Sequence, residues 1–127
     1  MGDCPFCARL GSRDVRWESE TAVAFVDAFP LGPGHTLVVP RRHVADALEL
    51  GREEIADLWE LVRRVRDDLA RELHPDGWNI GLNVGAAGGQ TVWHAHVHVI
   101  PRFGGDHPDP RGGMRCVLPD RARYWEK

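Results

Sequence analysis

The sequence predicts an α+β domain built on an antiparallel sheet. One long stretch, Arg52–Leu73, has apolar residues at helical spacing, and short runs rich in β-branched and aromatic residues lie on both sides of it. The last two of these runs are separated by a short glycine-rich loop. Because parallel neighbours need a long crossover connection, this short loop favours antiparallel pairing.

The segments before the long helix contain three predicted strands and a short helix. Cys4–Leu10 predicts a turn followed by a short helix, and Val15–Ser19 and Ala22–Asp27 predict a hairpin. The segment FPLGPGH then breaks regular structure. Thr36–Val39 is a short β-branched run that ends at Pro40, which predicts the third strand.

The long helix is predicted over Arg52–Leu73. Its apolar stripe consists of Ile55, Leu58, Trp59, Val62, Val65, Leu69 and Leu73. After it, Trp78–Val84 predicts a strand and Gly85–Gly89 a loop. Thr91–Ile100 predicts the last strand, which Pro101 should end.

The totals limit the classes of function. With 127 residues the chain fits one compact domain, predicted to span residues 1–127. The 16 basic and 19 acidic residues give a net charge of -3, so no strong attraction to nucleic acid or an anionic membrane is expected. Because the sequence contains no secretory signal and no long apolar run, we expect a cytoplasmic protein.

The stretch HAHVHVI carries histidine at positions 94, 96 and 98. In a strand these three side chains would share one face, while Ala95, Val97 and Val99 would point into the core. The first and last imidazoles would start about 13 Å apart, too far to ligate one metal ion together. We therefore expect the three rings to have different tasks, such as nucleophile, hydrogen-bond donor and metal ligand.

A glycine-rich loop, GAAGGQT, precedes the histidines. Backbone N–H groups at glycines can approach an anion closely, and Gln90 and Thr91 add side-chain donors, which indicates a phosphate site. An ordinary hairpin turn that needs positive φ is the alternative. The sequence contains neither a P-loop motif nor a dinucleotide-binding motif.

The stretch GGQTVWHAHVHVIPRF resembles the His-φ-His-φ-His-φ-φ signature of the histidine triad (HIT) nucleotide hydrolases and transferases. Ala24–Val44 is similar to the family's nucleotide-binding half, and DPRGGMRCVLP to the tail of bacterial members related to diadenosine polyphosphate hydrolases. The resemblance implies a HIT fold with about five antiparallel strands, one long helix and one or two short ones. It also implies a homodimer with a continuous sheet.

The resemblance further implies cleavage at the α-phosphorus of a nucleotide. His96 matches the nucleophile, which forms a nucleotidyl-histidine intermediate that water then hydrolyses. Neutral imidazole attacks phosphorus well and is afterwards a good leaving group. His98 matches a donor to a phosphate oxygen, and His35 the family's fourth histidine. Gln90 and Thr91 match the residues that contact the phosphate chain and the leaving group.

Five further residues match nucleotide contacts of the family. Asp27 matches the residue that receives the ribose hydroxyls, although aspartate is also common at the end of a strand before a turn. Asn83 and Gly89 match positions beside the phosphate or ribose. Phe6 and Phe25 resemble base-pocket residues, with ordinary core packing as the alternative.

The motif CPFC spaces Cys4 and Cys7 for one tetrahedral Zn²⁺ ion. A redox pair and a vestigial pair without metal are the alternatives. In the bacterial branch that the chain resembles, the other two ligands match His43 and His94, and four protein ligands would make the zinc structural. The third cysteine, Cys116, is predicted to be a small buried apolar residue.

Three classes of function stay open at this point. The first is a nucleotide hydrolase or transferase, for which dinucleoside polyphosphates are the favoured substrates and adenosine phosphoramidates the second choice. The second is a metallohydrolase in which two of the strand histidines, with His35 or His43, hold a catalytic zinc. The third is a non-catalytic module that binds or senses nucleotides.

Overall fold

A computed structural model describes residues 3–126, so residues 1, 2 and 127 of the predicted domain lie outside the described residues. Five strands form one antiparallel sheet in the order β1-β2-β3-β5-β4, which confirms the predicted α+β class. The strands are β1 (Trp17–Glu18), β2 (Ala22–Val26), β3 (Thr36–Pro40), β4 (Gly77–Gly81) and β5 (Val97–Arg102). The α-helices are α1 (Pro5–Arg9), α2 (Arg52–Leu73) and α3 (Pro119–Ala122), and 3₁₀ turns lie at Ala47–Glu49, Ala86–Gly88, Gly113–Val117 and Tyr124–Glu126.

Helix α2 has the bounds that its apolar spacing predicts. Glu53 and Glu54 lie in its first turn, where carboxylates interact favourably with the helix dipole. It ends at Leu73 and is capped by His74, which adopts a left-handed conformation with φ 50° directly before Pro75. Its inner face packs on the sheet through Leu58, Leu61, Val62, Val65 and Leu69. No helix within residues 3–126 is long and apolar enough to cross a membrane.

The two faces of the sheet have different partners. The face under α2 contributes Ala22, Ala24, Val38, Val97 and Val99 to the main core. The opposite face carries a second cluster of Phe6, Val23, Phe25, Leu37 and Val39, in which Phe6 comes from α1. Because Leu37 pairs directly with His98, both side chains lie on this second face, away from α2.

The last strand differs from the prediction over Thr91–Ile100. It begins only at Val97 and continues through Pro101 to Arg102. Residues 91–96 leave the sheet because their polar groups have other partners, such as the Val44 carbonyl oxygen that accepts from the Ala95 N–H at 2.6 Å. Pro101 is tolerated because β5 pairs only with β4 beyond Val99.

Three other predicted strands are also longer than the observed ones, whereas β3 runs one residue beyond its predicted end and includes Pro40. Only Trp17–Glu18 of Val15–Ser19 and the start of Trp78–Val84 belong to the sheet. The alternation of side chains nevertheless persists across the histidine stretch, since Ala95, Val97 and Val99 are all buried in the core beside α2.

Candidate active site

Cys4, Cys7, His43 and His94 form the first of two clusters on the second face, here called the metal cluster. Their Sγ and Nδ1 atoms all lie within 4.8 Å of one another. The Cys7 Sγ atom is 3.3 Å from His43 Nδ1 and 3.5 Å from His94 Nδ1, and the two Nδ1 atoms are 3.2 Å apart. The structure thus brings together the four residues that the resemblance assigns to zinc.

The geometry of the metal cluster fits a tetrahedral Zn²⁺ ion. Zn–N bonds near 2.0 Å and Zn–S bonds near 2.3 Å require ligand atoms roughly 3.3 to 3.8 Å apart. Four of the six ligand-atom spacings run from 3.2 Å to the 3.6 Å between Cys4 Sγ and His94 Nδ1, and all six are within 4.8 Å. Thiolate and imidazole donors are also the set that zinc prefers.

Backbone contacts prepare His94 as a ligand. Its Nε2 atom lies 2.7 Å from the Pro40 carbonyl oxygen, which can only accept a hydrogen bond, so Nε2 carries the proton. The lone pair is therefore on Nδ1, the atom that faces the cysteines. Burial lowers the pKa of His94 and raises the pKa of the Cys7 thiol.

His96 lies next to the metal cluster with its ring held in one tautomer. Its Nδ1 atom is 2.8 Å from the His94 carbonyl oxygen and must donate to it. The neutral ring therefore has its lone pair on Nε2. The residue is 8 % exposed, and within residues 3–126 no hydrogen-bond partner occupies Nε2.

Asp27, His35 and His98 form the second cluster, here called the imidazole relay. The Leu31 N–H donates to His35 Nδ1 at 3.0 Å, so the neutral His35 ring carries its proton on Nε2. That Nε2 is 2.9 Å from His98 Nδ1 and 3.4 Å from Asp27 Oδ2. When His35 donates to His98 Nδ1, the neutral His98 ring carries its own proton on Nε2.

Burial keeps both rings of the imidazole relay uncharged. It lowers the pKa of His35, and it lowers the pKa of His98 to about 4 with smaller contributions from neighbouring His96 and His35. The His96 and His98 rings are adjacent, with centroids 5.1 Å apart. The N–H of the uncharged His98 ring therefore lies beside the ring of His96.

The predicted phosphate contacts in and near the glycine-rich loop differ in whether their polar groups are free or already hydrogen-bonded. Thr91, Asn83 and Gly89 are exposed, and Gly89 has φ 95°. The Gln90 side chain is 5 % exposed and its amide is already used. Its Oε1 accepts from the Gly85 N–H at 3.0 Å, and its Nε2 donates to the Ala45 and Val92 carbonyl oxygens at 2.8 and 3.0 Å. Gln90 thereby ties the loop to its surroundings.

The two predicted base-pocket residues are both buried. Phe25 is 0 % exposed and the Arg9 guanidinium carbon lies 3.9 Å from its ring centroid, so this ring presents no free face. Phe6 is 7 % exposed and packs edge-on against His96, with ring centroids 5.0 Å apart. Core packing, the alternative given above, describes Phe25.

A groove with a volume of about 650 Å³ opens beside the imidazole relay. Asp27, His35 and His98 line one end, and Asn79 and Arg102 the other. Its side walls are mostly apolar and consist of Phe29, Leu31, Ile80, Leu82, Met114 and Val117.

Sequence reasoning missed this groove because four of these six wall residues come from an irregular turn and from the C-terminal tail, which have no periodic pattern. Cys116 also lines the groove and is exposed, so the prediction that it is buried is wrong. Its 3₁₀ turn, Gly113–Val117, packs on strand β4, where the Met114 Cε atom lies over Gly81 and outside both apolar cores.

Comparison with known proteins identifies the family. The family model described as "HIT domain" matches residues 12–105. The chain belongs to the HIT family.

Curated relatives include an uncharacterized HIT-like protein of Saccharolobus solfataricus, 39 % identical over 109 residues that cover 84 % of this chain and 78 % of that protein. A bis(5'-nucleosyl)-tetraphosphatase (asymmetrical) of Schizosaccharomyces pombe is 40 % identical over 93 residues. The aligned residues cover 73 % of this chain and 50 % of that enzyme. Among solved structures, a zinc-bound histidine triad family protein from Mycobacterium smegmatis is 35 % identical with a TM-score of 0.75 and covers 85 % of each chain.

Proposed function

We propose that this HIT protein is a nucleotide hydrolase that cleaves at an α-phosphate through a nucleotidyl-histidine intermediate on His96. The hydrogen bond of 2.8 Å from His96 Nδ1 to the His94 carbonyl oxygen carries the proposal. In the neutral ring this bond places the lone pair on Nε2, and attack on phosphorus requires such a lone pair.

The reaction has two displacements. In the first, His96 Nε2 forms a bond to the α-phosphorus, and the bond to the bridging oxygen breaks with its electron pair leaving on the departing phosphate. In the second, a water oxygen attacks the same phosphorus, releases a proton to solvent, and the P–N pair returns to Nε2. The His98 Nε2–H donates to a non-bridging oxygen in both steps and stabilises the charge that develops there.

Loop residues hold the phosphates in this proposal. Thr91, Asn83 and Gly89 are exposed, Asn83 lines the groove, and the three can donate to phosphate oxygens through a hydroxyl, an amide and a backbone N–H. Gln90 acts through the loop that it ties down rather than by touching phosphate, because its amide is occupied.

Dinucleoside polyphosphates are the proposed substrates. Support comes from curated relatives named as a bis(5'-nucleosyl)-tetraphosphatase and as a bis(5'-adenosyl)-triphosphatase. The groove of about 650 Å³ is of ligand size and begins at the imidazole relay. Asp27 lies at its end, partly exposed, where a carboxylate can accept both ribose hydroxyls.

We also propose that the metal cluster holds a structural Zn²⁺ ion. Four protein donors complete a tetrahedral sphere, so bound zinc would supply a cross-link between the N-terminal turn and the histidine segment and take no part in the displacements. The metallohydrolase alternative finds little support in the imidazole relay, because the His35 lone pair is engaged by the Leu31 N–H.

One set of assays tests the function. We expect turnover of diadenosine tri- and tetraphosphate with kcat/KM above that of an AMP–amine conjugate, and a nucleotidyl adduct on His96 in rapidly quenched samples analysed by mass spectrometry. A higher kcat/KM for the conjugate would favour the phosphoramidate alternative. Tight nucleotide binding without turnover or adduct would favour the binding module.

We also propose that the protein forms a homodimer. Strand β4 is an edge of the sheet, and edge pairing with a second copy would extend the sheet. Sedimentation should give the mass of a dimer; a monomer at all concentrations would contradict it.

A further inference from the structure

Phe6 has a contact that nucleotide binding alone does not explain. Its ring meets the His96 ring edge-on, with centroids 5.0 Å apart and planes at 80°, and it lies 5.6 Å from the Phe25 ring. An edge-to-face arrangement of this kind is a favourable contact between two aromatic rings. The resemblance suggests Phe6 as a base contact, but the structure puts it against the proposed nucleophile.

His96 needs such a contact to hold its orientation. The hydrogen bond from Nδ1 restrains one edge of the ring, and the His98 ring lies on a second side with centroids 5.1 Å apart. Phe6 covers a third side. Without Phe6 the imidazole can turn away from the His94 carbonyl oxygen, which weakens the one hydrogen bond that fixes its tautomer and the direction of the Nε2 lone pair.

The position of Phe6 depends in turn on the metal cluster. Helix α1 has five residues, which is too few for a stable helix by itself. Cys4 caps it by accepting from the Cys7 N–H at 3.3 Å, and the Sγ atoms of both cysteines belong to the metal cluster. Phe6 lies between these two residues in sequence, so fixing the two sulfur atoms also restrains the stretch of backbone that carries the ring.

We infer that Phe6 is a positioning residue that couples the metal cluster to His96, so that metal binding sets the orientation of the proposed nucleophile. The catalytic meaning of this coupling rests on the proposed function. The coupling itself is a property of the unliganded protein and can be measured without any substrate.

The first test measures the tautomer of His96 in the full-length, zinc-loaded protein. Long-range ¹H–¹⁵N spectra of the histidine rings should give one pattern for His96, with the proton on Nδ1. Phe6→Leu should shift the ¹⁵N frequencies of both ring atoms toward the averaged values of a mobile imidazole. Leu10→Ala is the matched control. Leu10 follows α1 and packs against the same apolar cluster as Phe6, and the Leu10→Ala protein should keep the wild-type pattern.

Kinetics on the same variants separate positioning from base binding. Phe6→Leu should lower kcat roughly 10- to 100-fold, the typical cost of misplacing a reacting group, with little change in KM. Leu10→Ala should keep the wild-type kcat. An increased KM at unchanged kcat would overturn the inference in favour of a base contact.

The route of the coupling can be tested by removing the metal from both proteins. Chelation should shift the His96 ¹⁵N signals in the wild type and cause little further shift in Phe6→Leu, since two changes on one route are not additive. An equal shift in both proteins would mean that the coupling runs through the His94 backbone, and the inference would fail. Absence of nucleotide turnover would remove the proposed function but leave this result readable.

Discussion

The metal cluster and the imidazole relay each contain two histidines, but the rings present a lone pair in the first and an N–H in the second. In each, the donor atoms lie within 4.8 Å of one another, so proximity alone would make both metal sites. The difference lies on the far side of the rings. The Pro40 carbonyl oxygen accepts a hydrogen bond from His94 Nε2–H, so the lone pair of that ring is on Nδ1 and faces the cysteines. The Leu31 N–H donates to His35 Nδ1, so the proton of that ring is on Nε2 and faces His98.

This difference teaches that the backbone partner of the outer ring nitrogen decides what a histidine cluster can do. A carbonyl partner makes a ligand and an amide partner makes a donor. His96 contacts both regions. The carbonyl oxygen of His94, a residue of the metal cluster, fixes the tautomer of His96, and the His96 ring lies beside the His98 ring of the imidazole relay. The following predictions test whether the two regions are separable.

The largest effect is expected for His96→Ala. Loss of the nucleophile should lower kcat/KM for diadenosine tetraphosphate by roughly 10⁴- to 10⁶-fold, as for other covalent nucleophiles. The bound zinc, measured by mass spectrometry of the metal, should stay at the wild-type level because His96 is outside the metal cluster. Zinc loss in this variant would show that the two regions are not separate.

Breaking the metal cluster should affect stability first. Cys7→Ser should abolish zinc binding and lower the free energy of unfolding by about 3 to 4 kcal/mol at metal concentrations 100 to 1,000 times Kd. Thermal unfolding with and without a chelator measures this loss. Cys116→Ser is the matched control, since Cys116 is exposed and outside the cluster, and it should unfold like the wild type. Equal Tm values for both variants would contradict a structural metal.

Breaking the imidazole relay should give a smaller loss of rate. His35→Ala removes the donor to His98 Nδ1, and kcat should fall roughly 10- to 100-fold, as is usual when an orienting partner is lost. His35→Gln can place an N–H at the same point and should recover part of that rate. Zinc content should not change in either variant. A zinc loss, or a glutamine variant as slow as the alanine variant, would contradict the assigned proton direction.

The smallest effect is a pH dependence of stability from His98. Burial lowers the pKa of the folded ring to about 4, whereas an unfolded histidine titrates near 6.5. Between these values the unfolded chain binds more protons, so the free energy of unfolding falls as the pH is lowered from about 6.5 to about 4. Urea unfolding of the wild type and of His98→Gln at several pH values measures this contribution as the difference between two curves. Parallel curves would contradict it.

Local patterns account for the part of the fold that could be predicted. The 22 residues of α2 follow from apolar spacing and from Pro75, because a helix repeats every 3.6 residues and shows its buried face in sequence. The positions of β2 and β3 follow from short β-branched runs. In the metal cluster, the spacing of the cysteine pair predicts Cys4 and Cys7, whereas His43 and His94 were predicted only through the family resemblance, since they are distant in sequence from the cysteines.

Long-range hydrogen bonds account for the failures. The alternating histidines predict a strand from Thr91, yet the bond from Ala95 to Val44 takes residues 91–96 out of the sheet. The phosphate role of Gln90 stays a prediction, and the three backbone groups that occupy its amide could not be read from the sequence. The groove and the exposure of Cys116 depend on where an irregular tail packs, which no periodicity encodes. The single domain over residues 1–127 stays a prediction.

By itself the sequence determined which chemistry the protein could have: three histidines on alternate positions, a cysteine pair, a flexible loop and one amphipathic helix. Only the tertiary structure decided which nitrogen of each ring carries the proton. The physical reason is that the two tautomers of a neutral imidazole are close in energy, so a single hydrogen bond to a distant backbone group selects one of them. The groups that make this choice for His94 and His35, at Pro40 and Leu31, reach them only when the chain is folded.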